Sequence, residues 1–226
     1  MLTPQVTFLL IIFTVIVAAV AQFRVSSAFN RFSRVRTRRG MTGAEVAALL
    51  LERAGIHDVE IARVETYLGD HYDPTRKRLC LSPGVFDSAS VAAAGIAAHE
   101  CGHAIQHAHA YAPLKARMAV VPVTMVASQL LPFIVIGGFI FGYVRPLLDL
   151  GIAVYAVLTV FQLITLPVEF DASRRARLVL VQNGIVTREE DSGVAKVLNA
   201  AALTYVAAFL SALFHLLHLL ALRGRE

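Results

Sequence analysis

Four stretches of this chain carry no charged residue for long enough to cross a bilayer, namely residues 1–23, 118–144, 150–168 and 197–222. A spanning helix takes roughly 20 residues. Inside hydrocarbon each stretch must satisfy its own backbone polar groups, so helices are the predicted form. The fold class that follows is a mainly α membrane protein with four transmembrane helices. Composition agrees, with 57% hydrophobic and 16% charged residues, against about 25% charged in a soluble domain. Two cysteines in 226 residues exclude a disulfide-stapled scaffold. The formal charge of +5 would suggest nucleic acid in a soluble protein, but here topology accounts for it first.

The first stretch reads as an uncleaved anchor rather than a secretory signal, although Ala19, Val20 and Ala21 offer a cleavage-like spacing of small residues. No basic residue precedes Phe23, and Arg24, Arg31, Arg34, Arg36, Arg38 and Arg39 follow it. Four crossings put residues 24–117 and 169–196 on one side, and that side holds 18 of the 21 Lys and Arg residues, leaving Arg145, Arg223 and Arg225 opposite. By the positive-inside rule the richer side is cytoplasmic. The basic juxtamembrane segment 24–39 is therefore expected to meet anionic lipid headgroups, with no nucleic-acid partner. Pro122, Pro132 and Gly137-Gly138 predict a kink in the second span, and His215 and His218 near the end of the fourth read as helix-packing or interfacial residues.

Residues 40–117 read as a small folded α/β domain. Thr42 and Glu45 form a capping box ahead of Val46, Leu49 and Leu50, and Gly55 suits the end of that helix. Val59, Ile61, Val64 and Tyr67, then Leu79 to Leu81, suggest short strands about a turn containing Asp70, Asp73 and Pro74. Ser88 is the predicted cap of a helix from Ala89 to Ala108.

That helix holds His99-Glu100-Cys101-Gly102-His103, the H-E-x-x-H pattern. At 3.6 residues per turn the two imidazoles lie one above the other and can converge on one metal ion. Glu100 is rotated away from ligation but close enough to take a proton from an activated water and return it to a leaving amine. Zn2+ suits this chemistry. Gly102 is expected to leave room beside the metal face. Cys101, about 200° around the helix from His99, points away, and Cys101 and Cys80 read as packing residues.

Zinc needs a third protein ligand. His109 stands where the metzincin pattern puts its last histidine, but Gln106 replaces the glycine that would turn the chain. His107 continues up the helix by about 6 Å. Glu169 is the other candidate, the first charge after the third span, in a helix that Pro167 is predicted to begin. Two crossings separate it from His103, so it returns to the same side.

The runs His99-Glu100-Cys101-Gly102-His103, Asp70-His71-Tyr72-Asp73-Pro74 and Pro167-Val168-Glu169-Phe170-Asp171 resemble the YugP-type neutral zinc metallopeptidases of bacterial membranes. The order of elements is also similar to the HtpX and prenyl-protein-processing membrane proteases. The resemblance implies a zincin-like domain, zinc held by His99, His103 and Glu169, and Glu100 as general base and acid. One position departs from the more distant proteases, which carry Asp or Asn where this chain has Ser173. Asp171 or Ser173 is then the candidate to orient a ligating imidazole, and His71 and Tyr72 are chemically suited to an oxyanion.

The organisation expected is an anchor (1–23), a basic segment (24–39), the metal-binding domain (40–117), a transmembrane hairpin (118–168), a glutamate-ligand helix with its cytoplasmic segment (169–196), and a last span with its tail (197–226). The function expected is zinc-dependent peptide-bond hydrolysis in a bacterial plasma membrane, acting on a peptide or membrane-protein substrate at a cytoplasm-facing site. A non-catalytic zinc-binding membrane scaffold is the alternative. An ion transporter finds support only in His215 and His218. The segment Asp70 to Leu81 is expected to present a strand edge to which a substrate peptide would add as a strand, with proline scanning through Arg78 to Ser82 as its test.

Overall fold

A computed structural model describes residues 3–66, 69–141 and 144–224, leaving aside the side chain of Phe139. Met1, Tyr67 and Arg225, used above, lie outside the described residues. Among the described residues the chain is mostly helical, with α1 (Pro4–Phe32), α2 (Gly43–Arg53), α3 (Pro83–Phe86), α4 (Val91–Ala108), α5 (Ala112–Phe141), α6 (Arg145–Gln182) and α7 (Arg188–Arg223). Three short strands, β1 (Glu60–Arg63), β2 (His71–Asp73) and β3 (Arg78–Leu81), lie between α2 and α3. Helices α1, α5, α6 and α7 are each long and apolar enough to cross a membrane.

The chain divides into two compact units. One collects Met1–Ala21, Lys115–Leu166 and Leu203–Glu226. Within it, Ala127, Ile134 and Val154 form a buried apolar cluster. The two histidines of the last span serve packing there. His218 Nδ1 lies 2.9 Å from the buried Thr7 Oγ1. His215 bonds the Ser211 carbonyl at 2.8 Å and stacks on Tyr155, with ring centroids 4.9 Å apart.

The second unit collects Gln22–Leu114 and Pro167–Ala202. Its core is built around α4, whose small residues Ala92, Ala93, Ala94, Ala97 and Ala98 are all 0% exposed. A helix apolar on every side must be enclosed on every side, and alanines let the neighbours approach closely. Around it pack Val46, Leu50 and Leu51 of α2, Leu79 and Leu81 of β3, Ala176 and Leu180 of α6, and Val194 and Leu198 of α7. The capping box of α2 forms as expected, with Thr42 Oγ1 accepting from the Glu45 amide and the Glu45 carboxylate accepting from the Thr42 amide. Gly55 follows that helix at φ +67°, a left-handed conformation that glycine adopts without a Cβ clash.

The sheet order is β1-β3-β2, with β1 parallel and β2 antiparallel to β3. This changes two expectations. Residues 71–73 are a strand rather than part of the turn, because His71, Tyr72 and Asp73 pair with Cys80, Leu79 and Arg78. Within the segment expected to offer an edge, β3 is central and Arg78 to Leu81 already bonds strands on both sides, whereas β2 lies at an edge of the sheet.

Two helix starts also differ. The cap of α4 is Ser90, whose side chain accepts from the Ala93 amide, while Ser88 Oγ donates to Ser90 Oγ. Pro167 does not begin a helix but sits inside α6. Proline removes one backbone donor and frees one carbonyl, a loss that a long helix tolerates when neighbouring groups re-satisfy it.

Candidate metal centre

Helix α4 sets His99 and His103 one turn apart, with ring centroids 4.7 Å apart and planes crossing at 82°. Helix α6 brings Glu169 to them. Glu169 Oε2 lies 3.2 Å from His99 Nε2 and 3.6 Å from His103 Nε2. One donor atom from each of the three residues falls within 4.8 Å of the other two. His103 and Glu169 are buried at 8% and 2% exposure, and the His99 side chain is largely covered.

Both imidazoles are tied at the nitrogen facing away from Glu169. Ser173 Oγ lies 3.1 Å from His99 Nδ1. Ser173 is thus the residue behind His99, at the position where it departs from Asp or Asn. Gln106 Oε1 lies 3.1 Å from His103 Nδ1. The Gln106 amide nitrogen donates in turn to the Val168 carbonyl at 2.9 Å and to Asp171 Oδ2 at 3.0 Å. Asp171 is anchored by Arg174 and Arg175. Asp171 therefore reaches His103 only through Gln106. In the sequence Gln106 stands out only as the residue in place of a turning glycine. The available signal was its position three residues after His103, which puts both side chains on one face.

The close approach of α6 depends on Gly102. A Cβ there would lie 2.8 Å from the Ala172 carbonyl oxygen and 3.2 Å from its Cα. The glycine therefore makes room for the α6 backbone that carries Glu169, not for space beside a metal.

Electrostatics follow from burial and charge. Burial alone pushes the His103 pKa down, yet the Glu169 carboxylate beside it, the charge of Glu100 and the bond to Gln106 outweigh it and raise it. Glu100 is 7% exposed and close enough for its charge to act on His103. Cys101 points elsewhere, its Sγ donating to the Ala47 carbonyl at 3.7 Å, and burial raises its pKa so that it stays a thiol. Cys80 is buried in β3.

The remaining histidine candidates stand outside the donor group. His109 ends α4 and bonds the Ile105 carbonyl through Nδ1 at 2.9 Å. His107 Nδ1 lies 2.9 Å from the Tyr72 hydroxyl. Burial pushes the Tyr72 pKa up to about 12, so the phenol remains neutral. His71 is exposed, with Nδ1 2.8 Å from the Gly69 carbonyl oxygen.

Residues 7–224 match a protein family described as "Putative neutral zinc metallopeptidase". The chain is 45% identical over 208 residues, covering 91% of its own length and 92% of the relative, to the "Putative membrane protease YugP" of Bacillus subtilis (strain 168). No solved structure matches.

Proposed function

Since this chain belongs to the neutral zinc metallopeptidase family, we propose that it is an integral membrane peptidase that hydrolyses peptide bonds at a zinc site formed by His99, His103 and Glu169. The observation that carries this reading is the convergence of those three side chains, two from α4 and one from α6, to donor separations within 4.8 Å. Two imidazole nitrogens and a carboxylate oxygen are a donor set that zinc accepts in catalytic sites. The tethering of each imidazole through Nδ1, which turns Nε2 toward Glu169, fits the same role.

A bound zinc ion supplies Lewis acidity, lowering the pKa of a water to about 7 and drawing charge from a carbonyl oxygen. The chain supplies the rest. Glu100 follows His99 directly and is largely buried. Its carboxylate takes the proton of the attacking water and hands it to the departing amine nitrogen. Burial of His103 and Glu169 keeps the donor atoms from competing bulk water.

Among the described residues three protein donors converge, which leaves a position for water, whereas a structural zinc site closes with four. This favours the hydrolase over the non-catalytic scaffold. The distribution of Lys and Arg supports a cytoplasmic site, and the likeness to a Bacillus membrane protease supports a bacterial plasma membrane with a peptide or membrane protein as substrate. Replacing Glu100 by Gln should keep the metal and lower peptide hydrolysis by about 10²–10⁴-fold, while His99→Ala loses both. Hydrolysis at the wild-type rate by Glu100→Gln overturns the mechanism.

A further inference from the structure

We propose that Gln106 is a positioning residue that holds His103 in the tautomer protonated at Nδ1, leaving the Nε2 lone pair facing the ligand group. The proposal rests on the reading of His99, His103 and Glu169 as metal ligands and concerns what prepares one of them.

A primary amide offers an acceptor oxygen at one end and two N–H donors at the other. Which end faces which neighbour follows from the neighbours' own chemistry. Two groups contact one end of the Gln106 amide, the Val168 carbonyl oxygen at 2.9 Å and Asp171 Oδ2 at 3.0 Å. Both are acceptors. The Asp171 carboxylate is held by two guanidinium groups, Arg174 and Arg175. Turning the amide over would set its oxygen against both acceptors at these distances.

Gln106 is 0% exposed, so water cannot relieve that conflict, and each buried group left unpaired costs about 1–3 kcal/mol. The NH2 end therefore faces Val168 and Asp171, and Oε1 faces His103 Nδ1 at 3.1 Å. An amide oxygen can only accept, so Nδ1 must carry the hydrogen. Neutral imidazole has one N–H, and Nε2 is left bare.

This matters because a competing preference acts from the other side. Glu169 Oε2, 3.6 Å from His103 Nε2, is also an acceptor and draws a proton to the nitrogen that must bind metal. Gln106 opposes that pull. His99 has no equivalent constraint, because the Ser173 hydroxyl at its Nδ1 can either donate or accept. The two ligands are thus unequal, His103 fixed and His99 adjustable.

The test uses purified full-length protein and zinc in competition with a chromogenic chelator, comparing wild type, Gln106→Met and His103→Ala. Methionine keeps the length of glutamine and removes the amide. Gln106→Met should bind zinc about 10–100-fold more weakly than wild type, the usual cost of losing a group behind a ligand. A second readout needs no variant. Nitrogen-15 spectra of histidine-labelled, zinc-free wild type should show neutral His103 protonated at Nδ1. Wild-type zinc affinity in Gln106→Met, or neutral wild-type His103 protonated at Nε2, overturns the proposal. Undiminished zinc binding by His103→Ala instead overturns the metal-site reading beneath it.

Discussion

At Gly102 one missing methyl group decides whether α6 can reach α4. An added Cβ would meet the Ala172 backbone at 2.8 Å, and backbone cannot rotate aside as a side chain can. Ala172 lies three residues beyond Glu169 on the same helix. Gly102→Ala should therefore destabilise the protein by about 1–3 kcal/mol, as overpacking does, and also weaken zinc binding by displacing Glu169. Thermal unfolding and chelator competition on one preparation check both. Loss of stability with unchanged zinc affinity would show that Glu169 does not depend on this contact. The three residues that converge were legible: His99 and His103 from their spacing, Glu169 from being the first charge after an apolar run an even number of expected crossings later. Gln106 was not, because a glutamine in a helix carries no mark of burial until the facing helix is known. The role of Gly102 was misread for the same reason.

Among the elements, α4 is the one on which the site depends, and its start is set by Ser90. The Ser90 side chain accepts from the Ala93 amide in a buried setting. Ser90→Ala should cost about 1 kcal/mol, within the usual 0.5–2 for a lost cap, measured by chemical denaturation. Zinc affinity of the folded variant should stay at the wild-type value, since the cap is about two and a half turns from His99. Helix type was readable from pattern, but boundaries were less so. Ser88 and Ser90 are equally good caps by residue type, and the choice falls to Ser90 where Val91 N donates to the Val35 carbonyl at 2.8 Å. A proline with good flanking helix formers reads as a start, yet α6 runs through Pro167 without ending. Strand β2 is only three residues long beside Pro74, so its pairing with β3 rather than its composition identifies it.

For the whole molecule, the four apolar helices and the asymmetry of basic residues make a prediction about sides. A cysteine introduced at exposed Glu65 should resist a membrane-impermeant maleimide in intact cells and react once the membrane is opened. One introduced at Arg223 should react in both. The reverse pattern contradicts the cytoplasmic orientation. The mainly helical class and the four long apolar helices were readable because a bilayer demands long uncharged helices whatever surrounds them. The order of the sheet was not, because strand pairing is a non-local property. The claim on which the account turns is that a single zinc ion is held by two imidazoles and Glu169. Zinc-edge X-ray absorption on the purified full-length protein tests it most directly. One zinc per chain with two histidine nitrogens at about 2.0–2.1 Å and a carboxylate oxygen at about 2.0–2.2 Å, the oxygen lost in Glu169→Ala, is the result predicted. A zinc environment unchanged by Glu169→Ala, or no bound zinc at all, contradicts it.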